Sequence, residues 1–300
     1  MKSLRITTAE LAKICNVSQG TVDRALNDRT DIKAQTKQNI LETAKKYGYR
    51  KSIDTQSGSI TGQVGIIVFN LNNEFFCDLI TEIEYALRKK NLGVVVMLSH
   101  YDKEAEIEAI RSLYNMGVEG IVLCSVNSGR EFKNYLSMFD IPIVAVGNRV
   151  EGIPYVGIDD FSAMREMTLK VISEEYQNVI YFSPALRYSD AFAQRSRYEG
   201  FLNAVGERTF DVVTHIDDIK KHYGEKTVVI CSSDYYALQV YFKAADIKIT
   251  GFDNISSLKK YKTGISTVDY SRGEIASSIK KIICEGIRKD FLVNHVILDN

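Results

Sequence analysis

The run VSQGTVDRALN, residues 17–27, holds side chains whose types and spacing fit one kind of chemistry, the reading of base edges. It follows a short amphipathic segment, ITTAELAKIC, and the two together read as a helix-turn-helix. Thr7 and Glu10 stand at capping-box spacing and start the first helix, with Leu11, Ile14 and Cys15 expected on one apolar face. Asn16 and Val17 make the turn, Ser18 caps the second helix, and Val22, Ala25 and Leu26 are expected to face inward. That leaves Gln19, Gly20, Thr21, Asp23 and Arg24 pointing outward near the start of the second helix. Residues placed there meet bases when such a helix enters the major groove. Helical spacing by itself fits a solvated face on a plain three-helix lobe equally well.

Charge breaks the tie. Residues 1–51 carry 11 Lys and Arg against 5 Asp and Glu, a net of +6, while the 300-residue chain is neutral, so the remainder carries −6. A basic head on an acidic body is an electrostatic footprint for a polyanion. The head lacks the broad apolar face with aromatic anchors that a membrane surface would require. Double-stranded DNA is the expected partner.

Length and composition bound the rest. The chain is long enough for two or three domains with sizeable cores. It has no apolar run of about eighteen residues and no signal-peptide stretch, so a cytoplasmic protein is expected. Cys15, Cys77, Cys124, Cys231 and Cys284 are odd in number and scattered in apolar settings, which predicts buried reduced thiols rather than disulfides or a zinc site. His100, His215, His222 and His295 show no metal-ligand spacing, and the phosphate-loop, nucleophile-elbow and zincin motifs are missing. An enzyme is not expected, nor is a cofactor.

The elements that position these residues follow in order. Ala34 to Tyr47 reads as a third helix with Ile40, Leu41, Ala44 and Tyr47 inward and Gly48 as its stop. The polar stretch KSIDTQSGSITG, residues 51–62, reads as a linker. The domains expected are therefore residues 1–50, a linker over 51–62, and a body over 63–300. In the body, strand-length apolar runs at 64–69, 93–98, 120–124 and 143–146, then at 178–182, 228–231, 247–252 and 265–268, alternate with helical stretches. The first such stretch carries Phe76, Leu79, Ile80, Ile83 and Leu87 on one stripe. This predicts an α/β fold of two tandem doubly wound parallel-sheet lobes, with strands buried on both faces and a ligand cleft between the lobes.

The chain resembles the LacI family of transcriptional regulators over essentially its whole length. The head matches the pattern T-x-x-(D/E)-(V/L)-A … V-S-x-x-T-V-x-R-x-L-N from Thr7 to Asn27, and T-x-x-x-I-L-x-x-A-x-x-x-G-Y from Thr36 to Tyr49. The body carries NNEFF, IPIVAVGNR, RYEGF, SSDYYAL, GFDN and STVDY as further landmarks. The resemblance implies a body like the type I periplasmic sugar-binding proteins, and a homodimeric repressor on a roughly palindromic operator. It implies base reading by Gln19 and Arg24, worth ~1–3 kcal/mol for each paired contact, and phosphate contacts from Ser18, Thr21 and Asn27. Gly20 replaces a bulkier reader, so one base contact is expected to be missing. Asp23 reads as a local ion pair.

The matched effector positions are Asn72, Phe75, Phe76, Asn148, Arg149, Arg197, Asp234, Asp253 and Tyr270. Aromatic faces and two-way hydrogen-bonding groups suit a sugar or another polyhydroxylated molecule; a non-sugar metabolite or a protein partner acting on the same fold is the alternative. Phe76 equally fits the core stripe, and Asp253 equally fits a cap for a helix starting near Ile255. Two departures stand out. The linker lacks the family's Pro and its Ala-Arg-x-Leu hinge, which implies weaker DNA bending. The stretch between Phe201 and Asp234 is short, which implies an element lost from the second lobe.

Overall fold

The computed structural model describes residues 8–26, 29, 32–47, 62–173, 176–187, 192–222, 226–244 and 247–299. The chain divides into two compact units, Met1–Thr61 and Gly62–Asn300. Thr7, Asn27, Gly48 and the linker up to residue 61 lie outside the described residues.

The first unit holds helices α1 (Thr8–Ile14), α2 (Gln19–Leu26) and α3 (Ala34–Lys46). Its core is Leu11, Ala12, Val22, Ala25, Ile40 and Ala44. Asn16 takes a left-handed backbone, φ 52°, and turns the chain between α1 and α2. The Ser18 hydroxyl then accepts from the Thr21 amide at 3.2 Å, capping α2. The expected faces need correction in two places. Ala12, not Ile14, completes the inner face of α1, since Ile14 is 46% exposed. Leu41 and Tyr47 are likewise exposed rather than inward, because so short a bundle has room at its centre for only one row of side chains per helix.

The second unit opens with β1 (Gly62–Val68), α4 (Glu74–Arg88), β2 (Leu92–Leu98), α5 (Lys103–Met116), β3 (Ile121–Leu123), α6 (Gly129–Leu136), β4 (Ile143–Val146) and β5 (Tyr155–Gly157). There follow α7 (Asp160–Ile172), β6 (Asn178–Phe182), α8 (Phe192–Val205), β7 (Asp211–Val213), β8 (Thr227–Cys231), α9 (Asp234–Lys243), β9 (Lys248–Phe252), α10 (Ser256–Lys260) and β10 (Ser266–Tyr270). The chain ends with α11 (Arg272–Glu285), β11 (Phe291–Leu292) and β12 (His295–Leu298).

Two six-stranded sheets result, in the orders β11-β5-β4-β3-β1-β2 and β12-β10-β9-β8-β6-β7. Each is the centre of a lobe, so the fold is α/β with two parallel-sheet lobes. The chain passes between lobes after β5, after β10 and after β11. Because α11 and β11 return to the first lobe and β12 to the second, neither lobe is a continuous stretch of sequence. β12 runs antiparallel to β10, a pairing that apolar runs do not announce. Strands in the middle of each sheet are covered on both faces, and β1, β3, β4 and β8 bury nearly every residue. β2 departs from that expectation: it is an edge strand with Val96 36% exposed. β5, β7, β11 and β12 are too short or too polar to stand out in sequence. Between β7 and β8 the chain forms a 3-10 turn, Ile216–His222.

On α4, Phe76, Leu79, Ile83 and Leu87 are buried and Ile80 partly so. Cys124 and Cys231 are buried, but Cys77 and Cys284 are exposed and Cys15 is half-buried, all as free thiols; the helices bearing Cys77 and Cys284 present those positions to solvent. No helix among the described residues is long and apolar enough to cross a membrane.

Candidate functional site

On α2, Ser18, Gln19, Gly20, Asp23 and Arg24 are exposed and Thr21 is half-buried, together on the face opposite Val22 and Ala25. Arg24 folds back, its Nε donating to the Gly20 carbonyl at 3.1 Å.

In the second unit, parallel topology brings the carboxyl ends of the strands of both lobes to one cleft, where ligands of such sheets bind. A cavity of about 140 Å3 lies there. Phe75, Phe76, Asn148, Arg197 and Asp253 of the expected residues line it. Asn70, Asn73, Tyr101, Gln194, Ser233 and Tyr235 line it as well and were not singled out in the sequence. Asn73 and Ser233 cap α4 and α9, so capping spacing was the available signal for both. Tyr101 stacks on Phe69 with centroids 4.8 Å apart, held by a loop in which His100 and Tyr101 both have positive φ. Nothing local foretells that geometry.

Arg197 is the centre of the polar part. Its Nε donates to Asp160 at 2.8 Å, Nη1 to the Ser232 carbonyl at 2.7 Å and Nη2 to Asp253 at 3.4 Å. Its guanidinium lies 3.6 Å from the Phe252 ring centroid. Tyr270 donates to the same Asp253 oxygen at 2.8 Å. Burial would lower the Arg197 pKa, but the Asp253 and Asp160 carboxylates raise it on balance, so the guanidinium stays charged. Burial pushes both carboxyl groups above their ordinary value, with Arg197 pulling against it. Asp253 sits at φ 106°, a conformation rare for any side chain but glycine. It does not cap α10: the Ile255 amide is held at 3.0 Å by Asp234 instead.

Four expected residues do not line the cavity. Tyr270 is buried behind it, acting through Asp253 and packing 5.9 Å from the Phe75 ring. Asp234 is fully buried, accepting from Thr267 at 2.8 and 2.9 Å, and burial together with Asp253 raises its pKa to about 7. Arg149 is drawn outward by a 2.6 Å ion pair to Asp290 and lies over Tyr155. Asn72 is exposed, its amide donating to Asn70 at 2.9 Å.

Asn148 ties the lobes together. Its side chain donates to the Ser125 carbonyl at 2.8 Å and accepts from the Ala193 amide of α8 at 3.2 Å. Ser125 in turn donates at 2.7 Å to Glu106, a carboxylate with no solvent exposure whose pKa burial raises. An acidic residue on the Ala109, Ile110 and Leu113 stripe of α5 is the sequence signal for Glu106 that went unread. Among the described residues no His, Cys, Asp or Glu group is placed to hold a metal.

The chain matches a family model described as periplasmic binding proteins and sugar binding domain of LacI family, over residues 61–227. It is 21% identical over 321 positions to catabolite control protein A of Priestia megaterium, covering 98% of this chain and 96% of that protein. It is 25% identical over 309 positions to the ribose operon repressor of Halalkalibacterium halodurans, covering 94% and 91%. Among solved structures it is similar to a periplasmic binding protein/LacI transcriptional regulator from Alkaliphilus metalliredigens complexed with D-xylulofuranose, with TM-score 0.68, 20% identity, and coverage of 79% of this chain and 97% of that one. These relatives are regulators rather than enzymes. Two lobes around a polar cleft and a family match across more than half the sequence converge: the chain belongs to the LacI family and is a transcriptional regulator of that family.

Proposed function

We propose that this regulator is a homodimeric repressor that reads a roughly palindromic operator through α2 and is controlled by a sugar-like effector in the cavity between its lobes. The observation that carries the effector reading is Arg197, a buried cation joined to Asp160 and Asp253 at the cavity wall. Such a cluster orients hydroxyl groups that both donate and accept. Gln19 and Arg24 are the proposed base readers, with Ser18, Thr21, Thr7 and Asn27 positioning the helix on phosphates. Binding of the effector changes the arrangement of the lobes, and shifts DNA affinity only by its differential affinity for the two arrangements. A cytoplasmic location follows from this role.

The test is selection of bound sequences from a random duplex pool near physiological salt, followed by a sugar screen on the recovered operator. A palindrome, released by a sugar from the wild type and not from Arg197→Ala, is the expected result. Release of both proteins by the same sugar at the same concentration would remove Arg197 from the effector site.

A further inference from the structure

Four helices begin at this cavity or at the Arg197 cluster beside it. The N-terminal turns of α4, α8 and α9 supply Phe75 and Phe76, Ala193 and Gln194, and Tyr235 and Tyr236 to its lining, and α7 begins with the Asp160 that holds Arg197. Helix N-termini attract anions, so a site of this shape is ready-made for a phosphate unless something answers those positive ends. Here each is already answered. Glu74, Asp160 and Asp234 stand in the first turns of α4, α7 and α9. The Asn73 and Ser233 side chains accept from the amides of Phe75 and Tyr236. The α8 amide of Ala193 goes to Asn148.

The cation of the site is answered too. Arg197 donates to two carboxylates and a carbonyl and lies over an aromatic ring, and the described residues lining the cavity include no Lys and no other Arg. Arg272, nearby, is turned onto the carbonyls of Asp253 and Asn254. Asp253 presents the opposite property. Its Oδ1 takes both Arg197 and Tyr270, while Oδ2 takes no hydrogen bond among the described residues. The open valence of this wall is therefore a carboxylate acceptor, which welcomes a hydroxyl and repels a phosphate or a carboxylate.

We propose that the effector is an uncharged sugar, held by its hydroxyls, and that Asp253 with the capped helix ends rejects phosphorylated sugars. This rests on the reading of the cavity as the effector site. The test is calorimetry and thermal shift of the full chain with neutral pentoses, hexoses and disaccharides, set beside ribose 5-phosphate, glucose 6-phosphate and fructose 1-phosphate. The expected result is binding by a neutral sugar and about a hundredfold weaker binding, or none, by its phosphate ester. In Asp253→Asn, which keeps the shape of the side chain, that gap should narrow by about tenfold. A sugar phosphate that binds more tightly than its neutral parent overturns the proposal and leaves the effector site standing. Binding by no sugar of either kind overturns the sugar reading and this proposal with it.

Discussion

Asp234 shows what a single buried carboxylate costs this fold. It holds Thr267 and the start of α10, yet burial lifts its pKa from 3.8 to about 7. Below pH 4 the group is protonated in both folded and unfolded chains and contributes nothing. Between about pH 4 and 7 the unfolded chain loses the proton that the folded one keeps, so stability falls as pH rises. Above 7 the penalty is constant, at most about 4 kcal/mol for a shift of that size. Thermal melts from pH 4 to 8 should therefore show Asp234→Asn gaining on the wild type up to pH 7 and keeping a constant lead over it afterwards. A difference independent of pH would mean that Asp234 is ionised in the fold throughout. Arg197 and Asp253 are different, since each has an opposite charge beside it that works against the effect of burial.

Helix packing sets where Arg197 can reach. Gly200 lies one turn beyond Arg197 on the same side of α8, and a Cβ there would come within 2.3 Å of the Phe161 carbonyl and 3.1 Å of the Arg165 amide of α7. Both obstacles are backbone, so neither can swing aside. The missing side chain lets α7 and α8 approach closely, and that approach brings Asp160 to Arg197. Gly200→Ala should cost about 1–3 kcal/mol through overpacking, lowering Tm by roughly 5 °C, and should weaken effector binding more than operator binding. Unaltered melting would show that the helices separate freely. Gly251 is a second such place: a Cβ would fall 1.9 Å from the Asp234 oxygen. Through Glu106, Ser125 and Asn148, a loop of the first lobe is tied to the start of α8 in the second, so α8 is held from both sides.

For the molecule as a whole, the basic first unit and acidic second unit divide the labour. In the proposed reading, nonspecific attraction to DNA would come from net charge and carry the salt dependence, while specificity would come from a few outward side chains of α2. Gln19→Ala should relax sequence preference at one position by about 1–3 kcal/mol and leave the slope of affinity against salt unchanged. Binding measured at several salt concentrations on operator and random duplex checks this, and equal losses on both DNAs would assign Gln19 to phosphate contact. With Arg24 folded onto Gly20, reaching a base requires that bond to open.

Periodicity and capping residues determined the elements whose signals are local: three short helices in the first unit and the inner strands of two sheets. Family landmarks in order determined the regulator and pointed first to Arg197 and Asp234 and then to Asp253, which spacing alone would have left as ordinary charges; of these, Asp234 does not line the cavity. Tertiary structure decided the rest. Arg197 meets Asp160 and Asp253 across 37 and 56 positions of sequence, and no local rule pairs residues so far apart. The same holds for Glu106, whose burial depends on a loop 19 residues away, and for Tyr101, placed against Phe69 by two left-handed residues. Whether an apolar residue is covered was also decided there. Ile14, Leu41 and Val96 have the right type and spacing for a core, but a small bundle and a sheet edge leave no neighbour to bury them. A sequence states which side chains prefer to leave water; which of them can do so depends on what the rest of the chain brings to meet them.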